Sequence, residues 1–218
     1  MGKVNEIPAS PLDFFLLPVW VHKKLSIRLQ SLLLAFLFVG VYDMFFFQNM
    51  LKAGLFKGNV LELVLRLLVF LLFSFMVGAI DLICTMVPIA EFAVMIGKRS
   101  GAHVSNWLPV ILMKSYALSH LFIILPSVFI TYSGINWETI DASSAPSVRL
   151  LFSILLIIIN FMPYIQLGIL YRTLSIKTRL QVFGKLILVL TTYFWMQMSG
   201  EAILFVGSFF QGLILKLT

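Results

Sequence analysis

Charged side chains make up only 11% of this chain, against 61% hydrophobic residues and a mean hydropathy of +1.03. A soluble globular domain carries roughly a quarter of its residues as charges, so this scarcity excludes one and makes lipid the expected solvent. Cysteine is nearly missing as well. Cys84 stands alone, which excludes an intrachain disulfide and a cysteine-built metal cluster. Its place in an apolar run predicts a small buried hydrophobe. The three histidines, His22, His103 and His120, are too scattered for a three-histidine zinc site. Ten-residue segments of alternating polarity do not occur, which excludes a transmembrane β-barrel. Also missing are His-Glu-x-x-His, Gly-x-Ser-x-Gly, a phosphate loop, and paired glutamates followed by arginine. No enzyme activity, cofactor or metal is expected. There is no internal repeat, low-complexity tract or soluble domain.

What the chain does have is long apolar runs. Five of them, at about 25–47, 60–97, 107–132, 148–171 and 180–210, reach the roughly 20 residues that a membrane-crossing helix needs. The predicted fold is all-α, a polytopic bundle over 25–218 preceded by an interfacial segment at 1–24. Within that segment Phe14-Phe15-Leu16-Leu17 is too short to cross. Ser10 is placed to cap a helix with Pro11 at its first position, and Trp20 and His22-Lys23-Lys24 suit the headgroup zone. A cleaved signal peptide is disfavoured by Glu6 and Asp13 ahead of the apolar run. The second run exceeds one perpendicular crossing, so it must tilt, kink at Pro88, or emerge as an interfacial helix.

Basic residues near the run ends set the expected orientation. Five crossings put Lys3, Lys23, Lys24, Arg28, Lys98, Arg99, Arg172, Lys177, Arg179 and Lys185 on one side. They put Lys52, Lys57, Arg66, Arg149 and Lys216 on the other. The ten-to-five ratio predicts a cytoplasmic N-terminus, an external C-terminus, and cytoplasmic turns at 97–106 and 172–181. The connection at 133–147 is the acidic one, without lysine or arginine. The net charge of +7 is spread over such run-end clusters rather than one groove, which argues against nucleic acid.

Four ionisable residues fall inside the second and third runs: Asp81, Glu91, Lys114 and His120. At about 1.5 Å per residue, Glu91 and Lys114 both lie roughly 9–10 Å from the turn that joins the runs, and Asp81 and His120 both roughly 20–24 Å from it. Two depth-matched pairs are therefore open. Three readings follow. Glu91 and Lys114 neutralise one another as interhelical glue, with Lys114 snorkelling and Asp81 and His120 hydrogen-bonded locally. Alternatively Asp81, Glu91 and His120 line an ion or proton path. In the third, the residues contact a lipid headgroup or a partner. Asp43 and Glu201 read as solvated helix ends, and Asn160, Gln166 and Gln197 as bonds between the last two runs.

Several short passages resemble the Yip family of five-span membrane proteins, named for interaction with Ypt/Rab GTPases, and its bacterial members in particular. They are Leu17-Pro18-Val19-Trp20, Met95-Ile96-Gly97-Lys98-Arg99, Ile124-Leu125-Pro126, and Leu167-Gly168-Ile169-Leu170-Tyr171-Arg172-Thr173-Leu174-Ser175. The Asp-Leu-Tyr-Gly-Pro motif of eukaryotic members is absent. The resemblance implies a non-enzymatic membrane-organising, trafficking or assembly component of a bacterial inner membrane. Such a protein works through lipids, a protein partner or a second copy. The cytoplasmic basic face expected to serve this comprises Lys23, Lys24, Arg28, Lys98, Arg99, Arg172, Lys177 and Arg179.

Overall fold

The computed structural model describes residues 11–47, 50, 54–141 and 143–216. The expected cap Ser10, the basic residues Lys3 and Lys52, and both termini lie outside them. Two short helices open the chain, α1 (Leu12–Leu16) and α2 (Val19–Lys24). Helix α3 (Gln30–Tyr42) follows and runs on into a single π-helical turn, Asp43–Phe47. Then come α4 (Val60–Ser100), α5 (Leu108–Tyr132), α6 (Pro146–Lys177) and α7 (Val182–Lys216). These last four are long and apolar enough to cross a membrane, whereas α3 is a shorter apolar helix.

The first expected span thus starts later than its apolar run. Residues 25–29 are not helical. Their chain links α2 to α3, and two of its carbonyls are held by a lysine of α5. With its π turn, α3 has 18 residues, 13 and 5, or roughly 27 Å.

Helix α4 has 41 residues, roughly 60 Å, about twice the thickness of a hydrocarbon core. Its ends are well defined. Asn59 Oδ1 accepts from the Glu62 amide at 2.9 Å while the Glu62 carboxylate accepts from the Asn59 amide, a reciprocal cap that satisfies two otherwise orphaned donors. At the far end Gly101 takes φ +66°, which a side chain would resist, and the Ala102 amide returns to the Gly97 carbonyl at 2.9 Å. The helix continues through Pro88 and takes in Gly97 to Ser100, so part of the expected basic turn is its last turn.

Helix α4 lies at the centre with α3 and α7 antiparallel to it, whereas α3 runs parallel to α5, Tyr42 meeting His120 and Ser127. On α3, Phe36, Gly40 and Phe45 meet Gly78, Ser74 and Phe70 of α4 in reverse order. On α7, Gly184, Trp195, Ser199 and Phe210 meet Ile96, Cys84, Thr85 and Phe73 of α4. The α3–α4 crossing is backbone against backbone. A Cβ on Gly40 would lie 1.6 Å from the Ser74 carbonyl oxygen, and one on Gly78 1.9 Å from that of Phe36. Ser74 and Gly78, four apart, form the small-xxx-small pattern by which helices approach closely in lipid.

Two apolar clusters result. The larger gathers Phe36, Leu82, Met86, Leu112, Leu170 and Leu188 at the end where α2 docks. The smaller gathers Met44, Met50, Leu55, Phe70 and Ile214 at the other end. There Arg66 donates to the Gly54 and Lys57 carbonyls, 2.7 Å each, and ties the incoming connection to the start of α4. Cys84 is exposed on the outer face of α4, not buried as its apolar setting predicts. In a bundle embedded in lipid, both faces of such a helix are apolar, and composition alone does not tell them apart.

Candidate functional site

Helices α1 and α2 form a strap across the end of the bundle at which α4 ends and α5 and α7 begin. Phe14, Phe15 and Trp20 point outward from it, and Lys24 Nζ lies 5.0 Å from the centre of the Trp20 ring. The strap is held from below by polar side chains on α5 and α6. Arg172 pairs with Asp13 and donates to the Leu17 carbonyl at 2.7 Å, where the backbone takes φ +62°. Lys177 Nζ donates to the Lys23 and Leu25 carbonyls at 3.0 and 3.1 Å. Lys114 Nζ donates to those of Ser26 and Arg28, 2.6 Å each.

His22 is fully buried at the centre of this contact. Its Nε2 lies 2.9 Å from the Leu16 carbonyl and must donate there; Nδ1 lies 2.9 Å from Thr173 Oγ1, which is 2.6 Å from Ser115 Oγ. Thr173 Oγ1 donates its one hydroxyl proton to the Ile169 carbonyl at 2.9 Å and can accept from Ser115. Burial pushes the His22 imidazole below its usual range; the Leu16 carbonyl opposes this and the Arg172 charge adds to it.

The eight residues expected to form a basic face therefore divide. Arg172 and Lys177 are turned inward onto the strap, whereas Lys23, Lys24, Arg28, Lys98, Arg99 and Arg179 remain exposed at the same end of the bundle. Between the strap, α3 and α5 lies a groove of about 450 Å³. Its upper wall carries Lys24, Ser26, Ser31 and Lys114, while Leu34, Phe38, Leu118 and Leu121 line its length. Leu121 lies seven residues beyond Lys114 on α5, or roughly 10 Å further into the bundle.

A second polar constellation is buried at mid-bundle. Asp43, Asp81 and His120 are 5%, 3% and 3% exposed, and one carboxylate or ring atom from each lies within 4.8 Å of the others. They border a cavity of about 200 Å³, to which Gln166 of α6 and Gln197 of α7 also contribute. Asp81 Oδ1 accepts from Thr85 Oγ1 at 2.9 Å. His120 Nδ1 lies 2.9 Å from the Tyr116 carbonyl and must donate to it, so Nε2 carries the lone pair of the neutral ring. Tyr42 and Tyr116 stand edge-on to that ring, centroids 5.3 and 4.8 Å away. Asp43 enters the cavity from the π turn, a feature that re-aims side chains and recurs at functional sites.

The four ionisable residues of the central hairpin are thus brought together only in part. Asp81 and His120 meet at the depth their spacing predicts. Glu91 is exposed on α4, and among the described residues it forms no ion pair with Lys114, whose ammonium is committed to strap carbonyls. Asp43 is buried rather than a solvated helix end, because α3 tucks its last turn under α4 at the Gly40–Gly78 crossing. Its signal in the sequence was an aspartate flanked on both sides by apolar residues, Val41-Tyr42-Asp43-Met44-Phe45. Among the described residues Asn160 bonds to the Leu156 carbonyl of its own helix and to no side chain of α7. Comparison with protein-family models, curated proteins and solved structures finds no match.

Proposed function

We propose that this chain is a non-enzymatic integral membrane protein that organises the anionic leaflet of a bacterial inner membrane, holding phospholipid in the groove beneath its N-terminal strap. The carrying observation is the polarity of that groove, with two lysines and two serines at its mouth and an apolar floor leading toward mid-bundle. A phosphate at the mouth meets the exposed Lys24 ammonium and the Ser26 and Ser31 hydroxyls, with the carbonyl-bound Lys114 charge behind them, and an acyl chain along the floor meets only hydrocarbon. Each basic residue near an anionic surface adds about 1 kcal/mol, so Lys23, Lys24, Arg28, Lys98, Arg99 and Arg179 together favour such a leaflet strongly. Exposed Phe14, Phe15 and Trp20 suit the interface beside it.

This reading takes α3 with its π turn as a fifth crossing, with the strap end cytoplasmic and the C-terminus external. Antiparallel packing of α3 along α4 and the gathering of basic residues at one end support it. It keeps the membrane-organising role that the Yip resemblance implies and locates it on lipid rather than a GTPase.

The test is lipid retention. Purified protein is exchanged into nanodiscs of phosphatidylcholine containing a fifth phosphatidylglycerol, then stripped with detergent. Wild type is expected to keep phosphatidylglycerol over phosphatidylcholine, and Lys24→Gln with Ser31→Leu to lose that preference. Equal retention of both lipids by wild type overturns the reading.

A second reading, cation passage through the membrane, is favoured by the polar cavity at mid-bundle. Its residues are Asp43, Asp81 and His120, with Glu91 outside it. Proton or ion flux into vesicles reconstituted with wild type, lost on Asp81→Asn, would select it.

A further inference from the structure

Two carboxylates and an imidazole sit together in the middle of this bundle, and among the described residues no cation reaches them. Lys114 is held by Ser26 and Arg28, and Arg66 by Gly54 and Lys57. Asp43 Oδ2 is buried without a hydrogen-bond partner. An unpartnered carboxylate oxygen in a lipid-embedded interior is costly and marks a place where something positive belongs.

We infer that Asp43, Asp81 and His120 bind one divalent transition-metal ion, of the zinc and manganese class, at the edge of the mid-bundle cavity. The inference is independent of the lipid reading. The donor set is oxygen, oxygen and nitrogen. Calcium and magnesium favour all-oxygen shells, and the single imidazole shifts the preference to first-row transition metals. Two of the ligands are oriented by an outer partner and the third by its backbone. Thr85 holds one oxygen of Asp81, the Tyr116 carbonyl fixes the His120 tautomer with Nε2 free to ligate, and Asp43 is aimed by the π turn.

Distances fit with a small adjustment. An ion bonded at about 2.0–2.2 Å to each ligand brings any two ligand atoms within roughly 4.4 Å of one another. The present limit of 4.8 Å closes by a few tenths of an ångström, which a carboxylate rotation supplies. Three protein ligands leave at least one position open toward the cavity. At about 30 Å³ per molecule, its roughly 200 Å³ accommodates several waters, and the Gln166 and Gln197 amides border it. The site is therefore an open, water-completed one rather than a sealed structural zinc.

Full-length protein purified in detergent, stripped with chelator and dialysed against zinc or manganese, tests this by elemental analysis and thermal unfolding. Wild type is expected to hold about one ion per chain after desalting and to melt higher with zinc or manganese than with calcium or magnesium. Asp81→Asn and His120→Gln are expected to lose the ion and weaken binding at least about 100-fold. Glu91→Gln, outside the cluster, is expected to keep it. Because removing a buried carboxylate or imidazole can itself alter folding, each variant's metal-free melting temperature is compared with that of metal-free wild type. Equal metal-free stability with lost binding supports the site. Absence of a stoichiometric ion in folded wild type, or equal loading of wild type and both cluster variants, overturns it.

Discussion

The ammonium of Lys114 and the carbonyl of Ser26 meet at 2.6 Å across 88 residues of sequence, and the same ammonium reaches the Arg28 carbonyl. This contact, rather than an ion pair with Glu91, is how the bundle accommodates a lysine within α5. Lys114→Met is expected to leave both carbonyls short of a donor and to cost about 1–3 kcal/mol in thermal or denaturant unfolding. Glu91→Gln is expected to change stability by less than about 0.5 kcal/mol. A large loss with Glu91→Gln would restore the ion pair.

Docking of the strap is expected to weaken in acid. The His22 imidazole is held below its usual range by burial, so the undocked chain binds the proton more readily. The contribution of His22 is then fully present above its ordinary value of about 6.5 and is lost as pH falls through the lower, docked value. Amide exchange over residues 19–24 should accelerate in that window beyond the intrinsic pH trend. His22→Gln should remove the acceleration.

At the α3–α4 crossing, any side chain on Gly40 collides with backbone and has no flexible neighbour to displace. Gly40→Ala is expected to destabilise by about 3 kcal/mol or more, and to move Asp43 away from Asp81. Gly200, on α7, has nothing within 4 Å of where a Cβ would lie, so Gly200→Ala should be neutral or stabilise by about 0.5–1 kcal/mol. Matched thermal melts in one detergent decide both.

Thr85 is not itself one of the three ligands but donates to Asp81 Oδ1 and holds that ligand in place. Thr85→Val is expected to weaken zinc binding about 10- to 100-fold while leaving the metal-free melting temperature within a degree or two of wild type, and Thr85→Ser is expected to restore affinity. Equal affinity in all three proteins would show that the hydroxyl does not position the carboxylate.

Much of this architecture was legible as hydropathy. The four long helices lie where the apolar runs predict them, and antiparallel order follows from their short connections. Depth along a helix was also legible: at about 1.5 Å per residue Asp81 and His120 fall at one level, and in the structure they lie together there. Azimuth was not. Lipid-facing and core-facing sides of these helices are both apolar, so nothing in the pattern told that Glu91 and Cys84 face outward or that Asp43 faces inward. The strap escaped for a different reason. Asp13 and His22 meet Arg172 and Thr173 through side chains, but the remaining bonds from Arg172, Lys177 and Lys114 go to the carbonyls of Leu17, Lys23, Leu25, Ser26 and Arg28, and carbonyl acceptors leave no trace in side-chain identity. The π turn at Asp43 likewise has no compositional mark.

The most direct measurement of the lipid account is photo-crosslinking with phosphatidylglycerol bearing a photoreactive acyl chain, followed by peptide mapping of the labelled protein. Label concentrated on residues 20–38 and 114–121, and reduced by Lys24→Gln, is the result the account predicts. Label spread evenly over the outward faces of α6 and α7, with no enrichment at the groove, would contradict it.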